Sequence, residues 1–501
     1  MSVQTERTAR PPQRGDVSHE HPSPTARPHA QARAWLALAL GALGLGGGLS
    51  LVLVVSRAPG MTRFIDAPLV AKKSLVVHVN LVLTVFFLSY LAALFSLIPG
   101  QRERRAPVAL ALFGVVLFVV SGLVPGVEPI LCNYVPVLDH PLFLVGIGLV
   151  VAGVLWALVD VARLVGTSRA ALSTPRSTPL STPLSTPLSG AAVDGLRVAA
   201  WLFLLALALL VSSVLTVPRG SDPFPYWESV YWAPGHALQF TFLATMLAVW
   251  SLVVRDASGA CPLGEGAHRW LVFALVWLPA LPLIAVIGKA PGDAGFSSLP
   301  TEVMRWGTWW APALFLLYAV PALVRARRRG ALPLTSSLTA FIASVLLLSL
   351  GIAIGVLITR SSTLVPAHYH ATVGAVTVAL MGVSYRVLDD LGVPLPSERL
   401  RRLARWQPLI FGLGQVGFVS GFAYAGWHGL GRKVYGHEQA LRGAEQTLGL
   451  AVAGTGGLFA LLGGALFFVL LARAWRARAS TLRRSPDPSA SPGSAPPPAR
   501  A

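Results

Sequence analysis

The stretch Val365-Pro-Ala-His-Tyr-His-Ala-Thr-Val-Gly-Ala-Val376 places two histidines, His368 and His370, at the start of a long apolar segment. Ionisable side chains in such a segment are costly in a membrane and usually mark function. Residues i and i+2 of an α-helix point about 200° apart, so one helix can offer an imidazole on each of two opposite sides. Two more histidines sit inside other apolar segments: His78 in Val-Val-His-Val-Asn80, and His236 in Trp232-Ala-Pro-Gly-His236. Four intramembrane imidazoles point to haem or metal chemistry, against the alternative of histidines satisfied by bonds between helices.

The composition agrees with a membrane setting. Of 501 residues 54% are hydrophobic and 12% charged, where a soluble domain carries about 25% charged residues. The net charge of +19 clusters at the ends of apolar segments, so it reads as membrane-flanking charge and not as a nucleic-acid surface. The lipid bilayer is the expected partner. The two cysteines, Cys132 and Cys261, fall on opposite sides of the expected topology, which argues against a disulfide.

Twelve segments approach the roughly 20 apolar residues that span a bilayer: 34–55, 74–98, 106–126, 140–165, 195–217, 227–254, 268–288, 303–325, 333–358, 366–388, 406–427 and 447–474. The expected fold is an all-α integral membrane protein of twelve transmembrane helices. Arginines follow segments two, eight, ten and twelve (Arg102, Arg104, Arg105; Arg325, Arg327, Arg328, Arg329; Arg399, Arg401, Arg402, Arg405; Arg473, Arg476, Arg478). The positive-inside rule then sets both termini in the cytoplasm of a multi-pass protein of the cell (inner or plasma) membrane. Residues 1–33, lacking a cleavable signal pattern and holding His19, His21 and His29, read as a disordered cytoplasmic tail, and 475–501 as a second one. Between segments four and five, 166–194 carries Ser-Thr-Pro repeats and reads as an extended cytoplasmic linker.

In that topology even-numbered segments run from outside to inside. His78, His368 and His370 lie near the outer face, and His236 is roughly 13 Å further along its axis. His78 and His370 are placed to clamp one haem iron from both sides. His368 faces the other way and can hold a second haem, with His236 towards its open position.

With these residues in place, the chain resembles subunit I of the haem-copper oxidase superfamily, which includes cytochrome oxidases and nitric oxide reductases. The resemblance rests on His78 in segment two, Trp232-Ala-Pro-Gly-His236 in segment six and His368-Tyr-His370 in segment ten, and spans about 34 to 474. It implies His78 and His370 as low-spin haem ligands, His368 as the ligand of a high-spin haem and His236 as a ligand of a second metal. It also implies Arg432 and Lys433, in the last outer loop, as partners of haem propionates. Two haems are expected, b-type because no Cys-x-x-Cys-His attachment motif is present.

The pattern also breaks. No histidine lies between His268 and His368, so the adjacent His-His pair that the family places on helix seven is missing. One remaining imidazole is a poor copper site, and occupancy by copper or non-haem iron is doubtful. Phe240 stands where many oxygen reductases carry a tyrosine. Glu228 and Glu302 are candidate catalytic carboxylates, for a non-haem iron or for protons arriving from outside; each also suits a helix start, where acids are favoured. No carboxylate relay runs towards the cytoplasm, so proton pumping is not expected. His140, His428 and His437 read as interfacial.

The expected function is that of a membrane oxidoreductase passing electrons from the low-spin to the high-spin haem to reduce O2 or NO. The donor would be a cytochrome c, a cupredoxin or a quinol, and a small accessory subunit is compatible. A non-catalytic di-haem electron-transfer or gas-sensing protein that has lost the copper site is the alternative. A twelve-helix transporter is a third class, for which neither charges lining a central path nor a two-fold repeat is present.

Overall fold

A computed structural model describes residues 29–61, 64, 66–99, 103–165, 188–259, 261 and 263–484. The main helices are α1 (Ala30–Arg57), α2 (Pro68–Phe95), α3 (Ala106–Ser121), α4 (Pro141–Leu158), α5 (Gly190–Thr216), α6 (Pro223–Ser258), α7 (Glu265–Val272), α8 (Ser298–Arg328), α9 (Ser336–Val356), α10 (Leu364–Asp390), α11 (Glu398–Trp427) and α12 (Ala444–Arg484). The protein is a helical membrane bundle. Each of the twelve expected segments falls on helical residues, but only ten of the described helices are long and apolar enough to cross a bilayer.

The other two segments depart from the expectation for different reasons. Helix α3 stops at Ser121 after 16 residues, because Gly122 and Pro125 lead into a turn. The expected span 268–288 is broken: α7 passes into a π-helical stretch Phe273–Trp277, a three-residue turn Leu278–Ala280 and a 3-10 stretch Leu281–Val286. Pro279 and Pro282 each remove a backbone donor and crowd the preceding turn, which a regular helix cannot absorb twice within four residues.

Helix starts follow local chemistry. Pro68, Pro107, Pro141 and Pro223 sit in first turns, where a missing N–H costs nothing. Ser189, Thr335 and Ser397 each accept a bond from a first-turn amide of the helix they cap. Because Ser189 caps α5, the last residues of the expected linker 166–194 are helical. Residues 166–187 lie outside the described residues, as do 1–28, including His19 and His21, and 485–501. The expected tail from 475 is helical as far as Arg484, in keeping with its Ala- and Arg-rich sequence.

Helix α1 packs on α2 and α12, α12 on α11, α11 on α10 and α9, and α10 on α9 and α6. Small residues permit the closest approaches. A Cβ on Gly114 would come within 2.4 Å of the Gly146 carbonyl oxygen on α4, and one on Gly456 within 2.2 Å of the Phe418 amide nitrogen on α11. Helix α2 turns π-helical from Asn80 to Phe86, directly after His78. Asn80 is fully buried there and donates to the carbonyls of Val76 and Pro136. That second bond ties α2 to a feature the sequence reading lacked. Two short antiparallel strands, β1 (Pro129–Ile130) and β2 (Val137–Leu138), form a hairpin between α3 and α4, and its tip, Leu131–Pro136, carries Asn133 and Tyr134 to the candidate site.

Candidate functional site

All four membrane histidines are oriented in the same manner. Nδ1 lies 2.8 Å from the Gly46 carbonyl in His78, 2.6 Å from that of Trp232 in His236, 2.7 Å from that of Gly351 in His368 and 2.7 Å from that of Pro366 in His370. A carbonyl only accepts, so Nδ1 carries the proton and Nε2 presents its lone pair. This is the tautomer that binds a metal through Nε2, with the ring held by an outer hydrogen bond. Among the described residues, Nε2 of His78, His368 and His370 has no hydrogen-bond partner.

His78 on α2 and His370 on α10 line one cavity of about 320 Å³, within the range of about 300–1,000 Å³ typical of ligand and cofactor sites. The walls are mostly apolar, with Leu43, Val82, Phe418 and Phe422 among the lining residues. Gly47 and Gly454 also line it, and a Cβ on either would meet no atom within 4 Å, so the helices leave room where larger residues would fill it.

The cavity also takes in Arg57, Arg432 and Lys433. Arg57, the last residue of α1, is 7% exposed, and one guanidinium nitrogen has no partner among the described residues. Its head lies 4.6 Å from the Tyr435 ring centroid and 5.3 Å from that of Phe422. Cation–π contact offsets part of the desolvation, and an anion would offset the rest. Arg432 donates to Ser361 Oγ and to Asn133 Oδ1, at 2.8 and 3.1 Å. Lys433 donates to the Leu131 carbonyl and to Asn133 Oδ1. Burial, together with the Arg432 charge, lowers the Lys433 ammonium to a pKa of about 8.

These residues fit a propionate-bearing haem: two imidazole lone pairs, open space between helices and a cationic margin. Arg57 was missed by the sequence reading, although an arginine directly ending a segment on the side expected to be poor in basic residues was a usable signal. Gln415, whose Oε1 is buried without a partner and lines the cavity, was missed as well; its polarity inside α11 was the available clue.

The other predicted residues sit differently. His368 and His236 do not line this cavity. His236 is fully buried, and its Nε2 is met by the Tyr134 hydroxyl at 2.9 Å. Among the described residues no group of three or more His, Cys, Asp or Glu side chains could hold a metal ion, so the residues do not fit a second metal centre at His236. Glu228 accepts from the Asn133 amide and side chain, at 2.7 and 2.5 Å, and is thereby joined through Asn133 to Arg432 and Lys433. Glu302 is exposed and pairs with Arg305 at 2.7 Å. His140 caps α4 by accepting from the Leu142 amide, and His437 pairs with Asp66 at 2.8 Å. Cys132 and Cys261 are both free thiols.

The fold and this interior define a polytopic helical membrane protein in which His78 and His370 line a common cavity between helices. The sequence pattern of the family described as Cytochrome C and Quinol oxidase polypeptide I matches residues 31–460, and the chain belongs to that family. It is thus a membrane oxidoreductase of a family for which haem is the implied cofactor. It is 26% identical over 376 residues to an uncharacterized protein of Aquifex aeolicus (strain VF5), covering 75% of this chain and 88% of that one. It is 23% identical to an uncharacterized protein of Rickettsia prowazekii (strain Madrid E), covering 87% and 94%. A structure of a heme-copper terminal oxidase dimer superposes with a TM-score of 0.62 at 17% identity, over 89% of this chain and 84% of that chain.

Proposed function

We propose that the chain is a di-haem membrane cytochrome: one haem held between His78 and His370, a second on His368, with O2 or NO as terminal acceptor. The observation that carries this reading is the cavity lined by both His78 and His370 together with Arg57, Arg432 and Lys433. Bound haem would supply one-electron transfer at the first position and reduction of a diatomic ligand at the second.

The chain's own residues do the holding. The carbonyls of Gly46, Pro366 and Gly351 fix the rings of His78, His370 and His368 in the Nε2-presenting tautomer. Arg57, Arg432 and Lys433 neutralise propionates, and Asn133 keeps Arg432 and Lys433 beside Glu228. Glu228 is the carboxylate placed to handle protons from the end of the bundle formed by loop 428–443, in keeping with uptake there and without pumping. Glu302, exposed and already paired, is assigned no role. Electrons would come from a cytochrome c, a cupredoxin or a quinol, and a small accessory subunit is compatible with this arrangement.

One observation favours a second reading. The Tyr134 hydroxyl on Nε2 of His236 suits a non-catalytic electron-transfer or gas-sensing protein without a second metal. A reduced-minus-oxidised spectrum and a carbon-monoxide difference spectrum of the purified protein separate the readings. Two haems, one binding carbon monoxide, with sustained O2 or NO reduction support the enzyme. Haem without turnover supports the second reading, and absence of haem rejects both. Replacing His78 or His370 by Ala is expected to abolish the low-spin signal.

A further inference from the structure

We infer that the position beside His236, where a second metal would bind, is closed by the Tyr134 phenol, so that His236 acts as a hydrogen-bond acceptor and not as a metal ligand. The inference concerns this side of the site alone and does not depend on where haem binds.

Nδ1 of His236 is 2.6 Å from the Trp232 carbonyl and therefore protonated. Its other nitrogen, Nε2, has one lone pair, and the Tyr134 hydroxyl points at it from 2.9 Å. A phenol that donates to this lone pair excludes a metal from it; both cannot use the same electrons.

Tyr134 is built into that position. The hairpin turns at Tyr134 with φ of 63°, an uncommon conformation for a residue with a side chain. The tip is anchored by the bonds from Asn133 to both carboxylate oxygens of Glu228. The Tyr134 ring lies against the backbone of Gly235, where a Cβ would come within 2.3 Å of the ring. Gly235 is thus needed for the tyrosine to reach its neighbour. The ring packs at 4.7 Å from His236 and edge-on to Trp232 at 5.9 Å, and the hydroxyl also lies 3.8 Å from Met304 Sδ. Tyr134 also lines the cavity that holds His78 and His370, so its ring forms a wall between that cavity and His236.

The lack of supporting ligands points the same way. The segment α7 to Val286 holds one histidine, His268, and its Nε2 bonds Ser251 Oγ at 2.8 Å. Glu228, the carboxylate nearest along α6, is occupied by Asn133.

The test is metal analysis, expressed per protein chain with haem iron counted separately, of the full chain, Tyr134→Phe and His236→Gln. Histidine side-chain 15N NMR is recorded on the same samples before and after adding Zn2+ or Cu+. The expected result is copper and non-haem iron far below one per chain in the unmodified protein. Its His236 signal should report a protonated Nδ1 and a hydrogen-bonded Nε2, and added metal should leave that signal in place. Tyr134→Phe should shift the Nε2 resonance towards that of an unbonded nitrogen. Stoichiometric copper or non-haem iron that His236→Gln loses would overturn the inference, as would an Nε2 resonance unmoved in Tyr134→Phe. Should His236→Gln fail to fold, metal titration of the unmodified chain still decides. Haem content is read separately: its absence rejects the proposed function and leaves this inference standing.

Discussion

Arg57 and Lys433 show how single charges set the demands of the cavity. A buried, incompletely paired guanidinium costs several kcal/mol unless an anion compensates it. Arg57→Met is therefore expected to leave the haem-free protein at least as stable as the original and to weaken haem retention about tenfold or more, equivalent to about 1.4 kcal/mol. Thermal melts with and without haem, beside a haem-loss assay, check both halves. Lys433 has a folded pKa of about 8, lowered by burial, below its ordinary value of about 10.4 in an unfolded chain. The unfolded state therefore binds more protons between these values, so this residue's contribution to stability rises with pH across that window and is lost as pH falls through about 8. Binding of an anion needs the charged form, so haem retention should weaken as pH rises past about 8. Lys433→Gln should flatten that pH dependence.

At the scale of elements, the β1–β2 hairpin and the α11–α12 contact carry the energetics. Asn133→Ala removes the side-chain donor to Glu228, leaving the backbone amide bond in place, and removes the shared acceptor of Arg432 and Lys433. Hydrogen bonds to charged groups are worth about 1.5–3 kcal/mol each, so hydrogen exchange across 129–138 should accelerate markedly while the amides of α4 stay protected. In contrast, Gly456→Ala places a methyl against the Phe418 amide, and such overpacking costs about 1–3 kcal/mol. Phe418 lies 4.8 Å from the His370 ring, so this substitution should also shift the low-spin haem absorption. A change in stability with an unmoved spectrum would show that the helix contact and the imidazole are independent.

For the whole molecule, the basic residues ending α8 and α12 and preceding α11 predict both termini on the cytoplasmic side. A reporter fused after residue 501 should be active only in the cytoplasm, and one inserted at Gly429 only outside.

Much of this architecture was legible in the chain itself. Apolar runs are local, and each determined a helical segment without reference to its neighbours. The spacing of His368 and His370 followed from helix geometry alone, as did the expectation that they face different ways. What only the tertiary structure decided depends on residues far apart in sequence. Tyr134 reaches His236 across 102 positions, and Asn133 reaches Arg432 across 299. Arg57 meets Tyr435 from the other end of the chain. No periodicity encodes such pairings, because they arise when the helices dock. The break at 273–286 is intermediate: Pro279 and Pro282 were visible, but their effect depended on whether neighbouring helices could re-satisfy the freed backbone groups. Local hydrophobicity thus determined where the apolar helical segments lie along the chain. Packing decided which side chains meet there, since only the folded bundle brings Nε2 of His236 to a tyrosine.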